Sequence, residues 1–252
     1  KLGGFLLIAL LGLGAQYEVY AILRQTGAAP RSTIGLTAGA LFLTALFMGW
    51  VTLPPAAPWV ALAWVAVLLS LLARPLQNHE WVLRLSTLFG VLYVPFLLGF
   101  LVILASEPQG LWAALWVVVA TKFTDVGGLL IGTPFGRHKI APNVSPAKSW
   151  EGCAGGVVFS MLVGVGGAAA MNQWLPGFHF NLLSAALCSI PLAALSVPSD
   201  LVESYLKRRA DVKDSGATIP GIGGALDLID SLLLVAPVGF LIFKTLTHIK
   251  VG

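Results

Sequence analysis

Asp200 and Glu203, then Asp227 and Asp230, make two acidic pairs, the members of each three residues apart. Positions at that spacing share one face of a helix, so each pair would present its carboxylates side by side, the first with Ser204 next to it. Asp211 and Asp214 lie between the pairs, and Asp125 stands well upstream. Carboxylates brought together from neighbouring helices repel one another unless a cation lies between them. Their hard oxygens suit Mg²⁺, which keeps several waters and binds through one or two carboxylates plus substrate phosphates. The plainer alternative is a set of interhelical ion pairs with Lys122, Lys207 and Lys213.

A second stretch, Ser145-Pro-Ala-Lys148-Ser149-Trp-Glu-Gly152, has the makings of a phosphate site. Ser followed by Pro suits an N-cap and first helical position. This predicts a helix opening at Ser145, with Lys148 and Ser149 in its first turn. The free N–H groups and partial positive charge there suit an anion; capping alone is an equally good reading. Just upstream, Gly132 to Lys139 reads as a flexible basic loop. His138 in it is either a catalytic base or, more simply, a solvated or phosphate-facing side chain. Gly221, Gly223 and Gly224 precede Asp227 and allow close backbone approach to a ligand or a re-entrant turn. Gly164 to Gly167 fits helix packing.

The elements that must position these groups are membrane helices. Of the 252 residues, 57% are hydrophobic and 10% charged, against about 25% charged in a soluble domain. So few charges cannot cover an exterior in water; lipid must cover it. Apolar runs near 2–23, 34–52, 58–73, 86–105, 111–131, 152–171, 181–202 and 225–247 approach the roughly 20 residues that a crossing needs. They predict an all-α polytopic transmembrane protein of about eight helices, a single domain over 1–252. Within it, 1–110 form N-terminal helices and 111–252 the catalytic helices and cytoplasmic loops. Cys153 and Cys188 lack metal-ligand spacing and read as packed thiols.

Most of the 15 Lys and Arg fall in alternate connections, from Arg24 and Arg31, through Arg137, Lys139 and Lys148, to Lys207, Arg208, Arg209 and Lys213. Positive residues stay on the cytoplasmic side, so these connections face the cytoplasm. With eight spans both termini lie outside, which suggests a ninth helix ahead of Lys1. The same topology puts Asp125, Asp200 and Glu203 at helix ends, beside Asp227 and Asp230, on one membrane face. A carboxylate within a span costs roughly 2.5–3.5 kcal/mol at the bilayer centre and usually marks function.

The run Ser204-x₂-Lys207-Arg208-x₄-Lys213-Asp214-x-Gly216-x₂-Ile219-Pro220-Gly221-x-Gly223-Gly224-x₂-Asp227-x₂-Asp230 resembles the signature of the phosphatidate cytidylyltransferases, or CDP-diacylglycerol synthases. Asp125 with its glycine-rich loop, and Ser145 to Gly152, resemble an upstream stretch of that family. Nearer the N-terminus the likeness is weak, around Glu18 and Tyr93. Two positions depart from the pattern: Ile222 stands where the family usually has His, and Leu228 where it has Arg. Neither removes a carboxylate, but both bear on how nucleotide phosphates or a lipid headgroup are held.

The resemblance implies transfer of a cytidylyl group from CTP to phosphatidic acid, giving CDP-diacylglycerol and pyrophosphate, with one or two Mg²⁺ ions. The setting it implies is the cytoplasmic face of a bacterial inner membrane. By the same likeness Asp200, Asp227, Asp230, Asp214 and Asp125 are metal ligands, and Asp227, Asp230, Lys207 and Ser204 are catalytic. Ser145, Lys148, Ser149, Arg208, Lys213, Gly223 and Gly224 bind substrate. Membrane lipids and a second copy in a homodimer are the partners expected, and no nucleic acid. Two other classes compete. One is a CTP-dependent kinase of a long-chain lipid alcohol, which would move the γ-phosphate. The other is an ion-coupled transporter, whose carboxylates should lie near the midplane between repeated halves.

Overall fold

The computed structural model describes residues 1–54, 56–60, 63, 80–176, 178–216 and 223–246. In chain order they form α1 (Leu2–Gln25), α2 (Ser32–Phe47) and α3 (Glu80–Val91), which passes through a π-helical turn (Leu92–Phe96) into α4 (Leu97–Ser106). Then come α5 (Gly110–Phe135), a hairpin of β1 (Lys139–Ala141) and β2 (Ser145–Ser149), α6 (Trp150–Trp174), α7 (Leu182–Arg209), α8 (Ala225–Leu233) and α9 (Val235–Leu246). The crossing predicted near 58–73 lies largely outside the described residues, as do Ile219, Pro220, Gly221 and Ile222 of the motif.

Among the described residues, five helices are long and apolar enough to cross a membrane, and α8 with α9 makes a sixth if that bent pair is one span. The chain is an all-α, multi-pass membrane protein, and the short hairpin is the one sheet among the described residues.

Contacts sort the helix ends into two sets. Lys1 Nζ donates to Ser106 O, and Gln109 Nε2 donates to Pro176 O at 3.1 Å. That gathers the start of α1, the α4–α5 connection and the end of α6. At the other ends Arg31 N donates to Thr87 Oγ1 at 2.9 Å, and Arg208 Nε to Val144 O at 3.3 Å. The basic ends therefore meet in two pairs, the α1–α2 connection with α3 and the end of α7 with the hairpin.

Glycines govern the most extensive pairing, α5 against α6. A Cβ at Gly155 would lie 2.5 Å from Ile131 Cβ, and one at Gly156 would lie 2.7 Å from Thr124 O. Trp116 completes the seam, its Nε1 donating to Gly164 O at 2.8 Å. Small residues let the backbones approach, as membrane helices require.

Three expectations need correction. Helices α5 and α7 continue to Phe135 and Arg209, so Asp125 and Asp200 sit about 14–15 Å inside their helices, at 1.5 Å per residue, rather than at the ends. The apolar run marks where lipid stops; nothing there stops the helix.

The helix predicted at Ser145 instead starts at Trp150, so Lys148 and Ser149 are not in its first turn. Ser145 to Ser149 pairs with β1, Lys139 opposite Ser149 and Ala141 opposite Ser145. Trp150 N donates to His138 O at 2.9 Å and closes the ribbon. The true N-cap is Ser149, whose Oγ accepts from Gly152 N at 3.1 Å.

The last span, read as continuous, is broken at 47° between α8 and α9. The hydroxyl of Ser199, from α7, donates to Asp230 O and accepts from Leu234 N at 3.1 Å. In an unbroken helix that carbonyl and that N–H would bond each other. A side chain inserted into the ladder bends a helix, and Pro237, with no N–H to donate, is tolerated in the first turn of α9.

Candidate active site

One face of α7 carries Asp200, Glu203, Ser204 and Lys207. It meets Asp227 and Asp230 of α8, Lys122 and Asp125 of α5, and Lys148 of β2. At the centre, carboxylate oxygens of Asp200, Glu203 and Asp230 all lie within 4.8 Å of one another. Lysines bracket them. Lys148 Nζ is 2.6 Å from Asp200 Oδ2. Lys207 Nζ is 2.8 Å from Glu203 Oε2 and 2.9 Å from Asp227 Oδ1. Lys122 Nζ lies 3.6 Å from Asp230 Oδ1 and 3.7 Å from Asp125 Oδ2.

Hydroxyls and backbone amides orient the acids further. Ser204 Oγ donates to Asp200 Oδ1 at 3.2 Å, and Ser231 N to Asp230 Oδ1 at 2.6 Å. Asp227 Oδ2 accepts from Ser215 Oγ at 2.9 Å and from Gly224 N at 3.0 Å. Counted as ionised, five carboxylates face three ammonium groups, and the surplus is two negative charges.

Glu203 Oε1 and the Tyr93 hydroxyl find no hydrogen-bond partner among the described residues. Tyr93 is fully buried in the π-helical turn, within electrostatic reach of Glu203, Asp230 and Asp200. Such turns are frequent at functional sites. An unpaired buried polar group is costly, and the converging oxygens of Asp200, Glu203 and Asp230 are the donor set of a hard divalent ion. The residues present fit such an ion.

Beside the cluster, a cleft of about 200 Å³ runs between α5, β2, α6 and α7. Asp125, Lys148 and Asp200 supply its charged groups, and Gly128, Gly132 and Gly152 bare its backbone. Asp200 thus belongs both to the acidic cluster and to the cleft wall.

Of the residues singled out from sequence, Asp125, Lys148, Asp200, Ser204, Lys207, Asp227 and Asp230 come together here. Asp214 and Lys213 are exposed in the loop after α7 and make none of these contacts. Arg208 is exposed too, and ties α7 to the hairpin tip. Ser145 lies in β2, and Ser149 spends its Oγ on the α6 cap. Gly223, at φ 121°, and Gly224 form the entry to α8. His138 Nδ1 pairs with Glu151 Oε1 at 2.5 Å, outside the cluster. From the sequence, Glu203 is grouped with Asp200 yet left out of the ligand set, Lys122 is named only as an ion-pair partner, which it is here, and Ser199 and Ser215 are missed altogether. Glu203 had a signal, a carboxylate one turn from another inside a span. The serines had none, because their role depends on which helix lies opposite.

The profile of the cytidylyltransferase family matches residues 2–246. The chain belongs to that family. A phosphatidate cytidylyltransferase of Haemophilus influenzae is 36% identical over 183 residues, 69% of this chain and 63% of the relative. One of Rickettsia felis is 36% identical over 161 residues, 62% of this chain and 69% of the relative. One of Staphylococcus haemolyticus is 36% identical over 150 residues, 60% and 55% respectively. The aligned part thus spans about two thirds or less of these relatives' length.

Proposed function

We propose that this chain transfers a cytidylyl group from CTP to phosphatidic acid, giving CDP-diacylglycerol and pyrophosphate, at the cytoplasmic face of a bacterial inner membrane. The observation that carries the reading is the convergence of Asp200, Glu203 and Asp230, with bare buried oxygens, in a chain of this family. Asp200, Glu203 and Asp230 would hold one or two Mg²⁺ ions, flanked by Asp125 and Asp227; exposed Asp214 is left out of the set. Bound there, Mg²⁺ supplies charge neutralisation for the triphosphate and the incoming phosphate oxygen.

The lysines are prepared for phosphate. Lys148 and Lys207 already hold carboxylates at 2.6–2.9 Å, so their ammonium groups are oriented before substrate arrives and need only exchange partners. Ser204, anchored on Asp200, adds a hydroxyl. Arg208, Arg137 just before the hairpin and Lys139 within it draw a polyanion toward the cleft. An ionised phosphatidate oxygen forms a bond to the α-phosphorus of CTP. The bond from that phosphorus to the α,β-bridging oxygen breaks, and pyrophosphate leaves with the electron pair. No proton has to be removed first, and no covalent intermediate on the protein is needed.

The test uses purified protein, phosphatidic acid, Mg²⁺ and CTP labelled either in the cytidine or at the γ-phosphate. Cytidine retained on the lipid, with pyrophosphate released, is the expected result. Transfer of γ-label alone would assign a lipid kinase instead. Asp227→Asn should abolish turnover in a protein that still folds, and near-normal turnover by it would count heavily against the reading.

A further inference from the structure

Glu18 is a lone carboxylate within the apolar α1, 2% exposed, and the reaction as described gives it no task. Three of its partners lie at the entry to α8 and in the loop before it. Glu18 Oε1 accepts from Ala225 N at 2.9 Å; Oε2 accepts from Leu226 N at 2.8 Å and from Ser215 Oγ at 3.0 Å. The N-cap of α8 is Gly224, which has no side chain to cap with, so a helix more than two hundred residues away does the capping. Only glycine fits there. A Cβ on Gly224 would lie 2.6 Å from Glu18 Oε2 and 2.9 Å from Asp227 Oδ2, and nearer still to Ser215 Oγ.

The same Ser215 oxygen lies 2.9 Å from Asp227 Oδ2, which also accepts from Gly224 N. Two carboxylates thus divide the donors of one helix start between them. Glu18 takes two amides, Asp227 takes the third, and the Ser215 hydroxyl, with a single proton, bridges the pair. A cap alone needs no charge inside a membrane helix. Asn181 caps α7 with a neutral amide oxygen, accepting from Leu183 N at 2.9 Å and Ser184 N at 3.2 Å.

We propose that Glu18 is a positioning residue: by occupying the first-turn amides of α8 and tethering Ser215, it fixes the direction in which Asp227 presents its carboxylate to Lys207 and the acidic cluster. Without Glu18, the amides of Ala225 and Leu226 lose their acceptor and the Ser215 hydroxyl loses one of its two, and Asp227 is the carboxylate left within reach. It would be drawn toward the helix start and away from the site. This rests on the reading of the cluster as the reaction centre.

The experiment compares Glu18→Gln, Ser215→Ala and Asn181→Ala in the purified full chain. It reads kcat and the KM for CTP, Mn²⁺ affinity by electron paramagnetic resonance without nucleotide, and melting temperature. Groups that orient metal-site residues typically change affinity or activity about 10–100-fold when removed. Glu18→Gln and Ser215→Ala should each lose that much in kcat and Mn²⁺ affinity, with the KM for CTP little changed. Asn181→Ala should lower the melting temperature and leave both untouched. If Glu18→Gln fails to fold, Ser215→Ala decides alone, because it keeps the Glu18 cap and removes only the bridge. Wild-type kcat and Mn²⁺ affinity in Ser215→Ala overturn the proposal. Wild-type chain that binds Mn²⁺ but transfers no cytidylyl group refutes the reaction, while the Mn²⁺ series still decides Glu18. Absence of Mn²⁺ affinity in the wild type overturns both.

Discussion

Lys207 pairs with two carboxylates at once. Its ammonium group sits between Glu203, 1% exposed, and Asp227. Removing one partner of a buried ion pair costs about 3–5 kcal/mol, because the remaining charge is left in low dielectric. Lys207→Met should therefore lower the melting temperature markedly in chelator, with part of the loss regained when Mg²⁺ is added. A thermal melt in the two buffers checks this. Equal losses in both would mean that no cation takes over the lysine's place. Each of the residues involved was conspicuous in the sequence, since charges inside apolar runs are few. Their pairing was not, because Lys207 is as well spaced for Glu203 one turn back as for any loop acid.

At the scale of elements, the break between α8 and α9 sets where Asp230 points. Its cause is one hydroxyl, that of Ser199, lodged between Asp230 O and Leu234 N. With alanine there the two backbone groups are free to bond each other, as in any helix. The hydrogen bonds balance, so Ser199→Ala should change stability by no more than about 1 kcal/mol. The span would straighten, moving Asp230 relative to Asp200 and Glu203, and kcat should drop at least tenfold, as for other groups that orient a metal site. A melt and an activity assay on one sample separate the two effects, and full activity would show that the bend is unrelated to catalysis. The apolar run 225–247 announced a helix, with Pro237 the one sign of a break in it; the inserted hydroxyl comes from another helix and leaves no trace in the segment's own residues.

At the scale of the molecule, cation binding should appear as stability. A ligand that binds only the folded state at 100 times its Kd adds about 2.7 kcal/mol. Saturating Mg²⁺ should raise the melting temperature of the wild type and leave Glu203→Gln much less affected; identical shifts would place the ion elsewhere. The orientation is open to chemical labelling after Cys153 and Cys188, both free thiols, are replaced by alanine. Cysteines introduced at Asp211 and at Glu107 should then react from opposite sides of sealed vesicles, Asp211 from the cytoplasmic side. Reaction of both from one side would break the topology.

Apolar run length and the scarcity of charge sufficed to announce a multi-pass helical protein, because the bilayer imposes one dimension on every crossing. The spacing of Asp200, Glu203, Asp227 and Asp230 along two such helices announced a shared carboxylate face on each, since helical periodicity turns spacing into proximity. What neither determines is which faces oppose one another. Only the packed bundle brings Glu18 from α1 to the first turn of α8, lodges Ser199 in another helix's ladder, and turns Ser145 to Ser149 into a strand. Those contacts join residues far apart in the chain, and their energies depend on distance in space, which a list of residues does not contain.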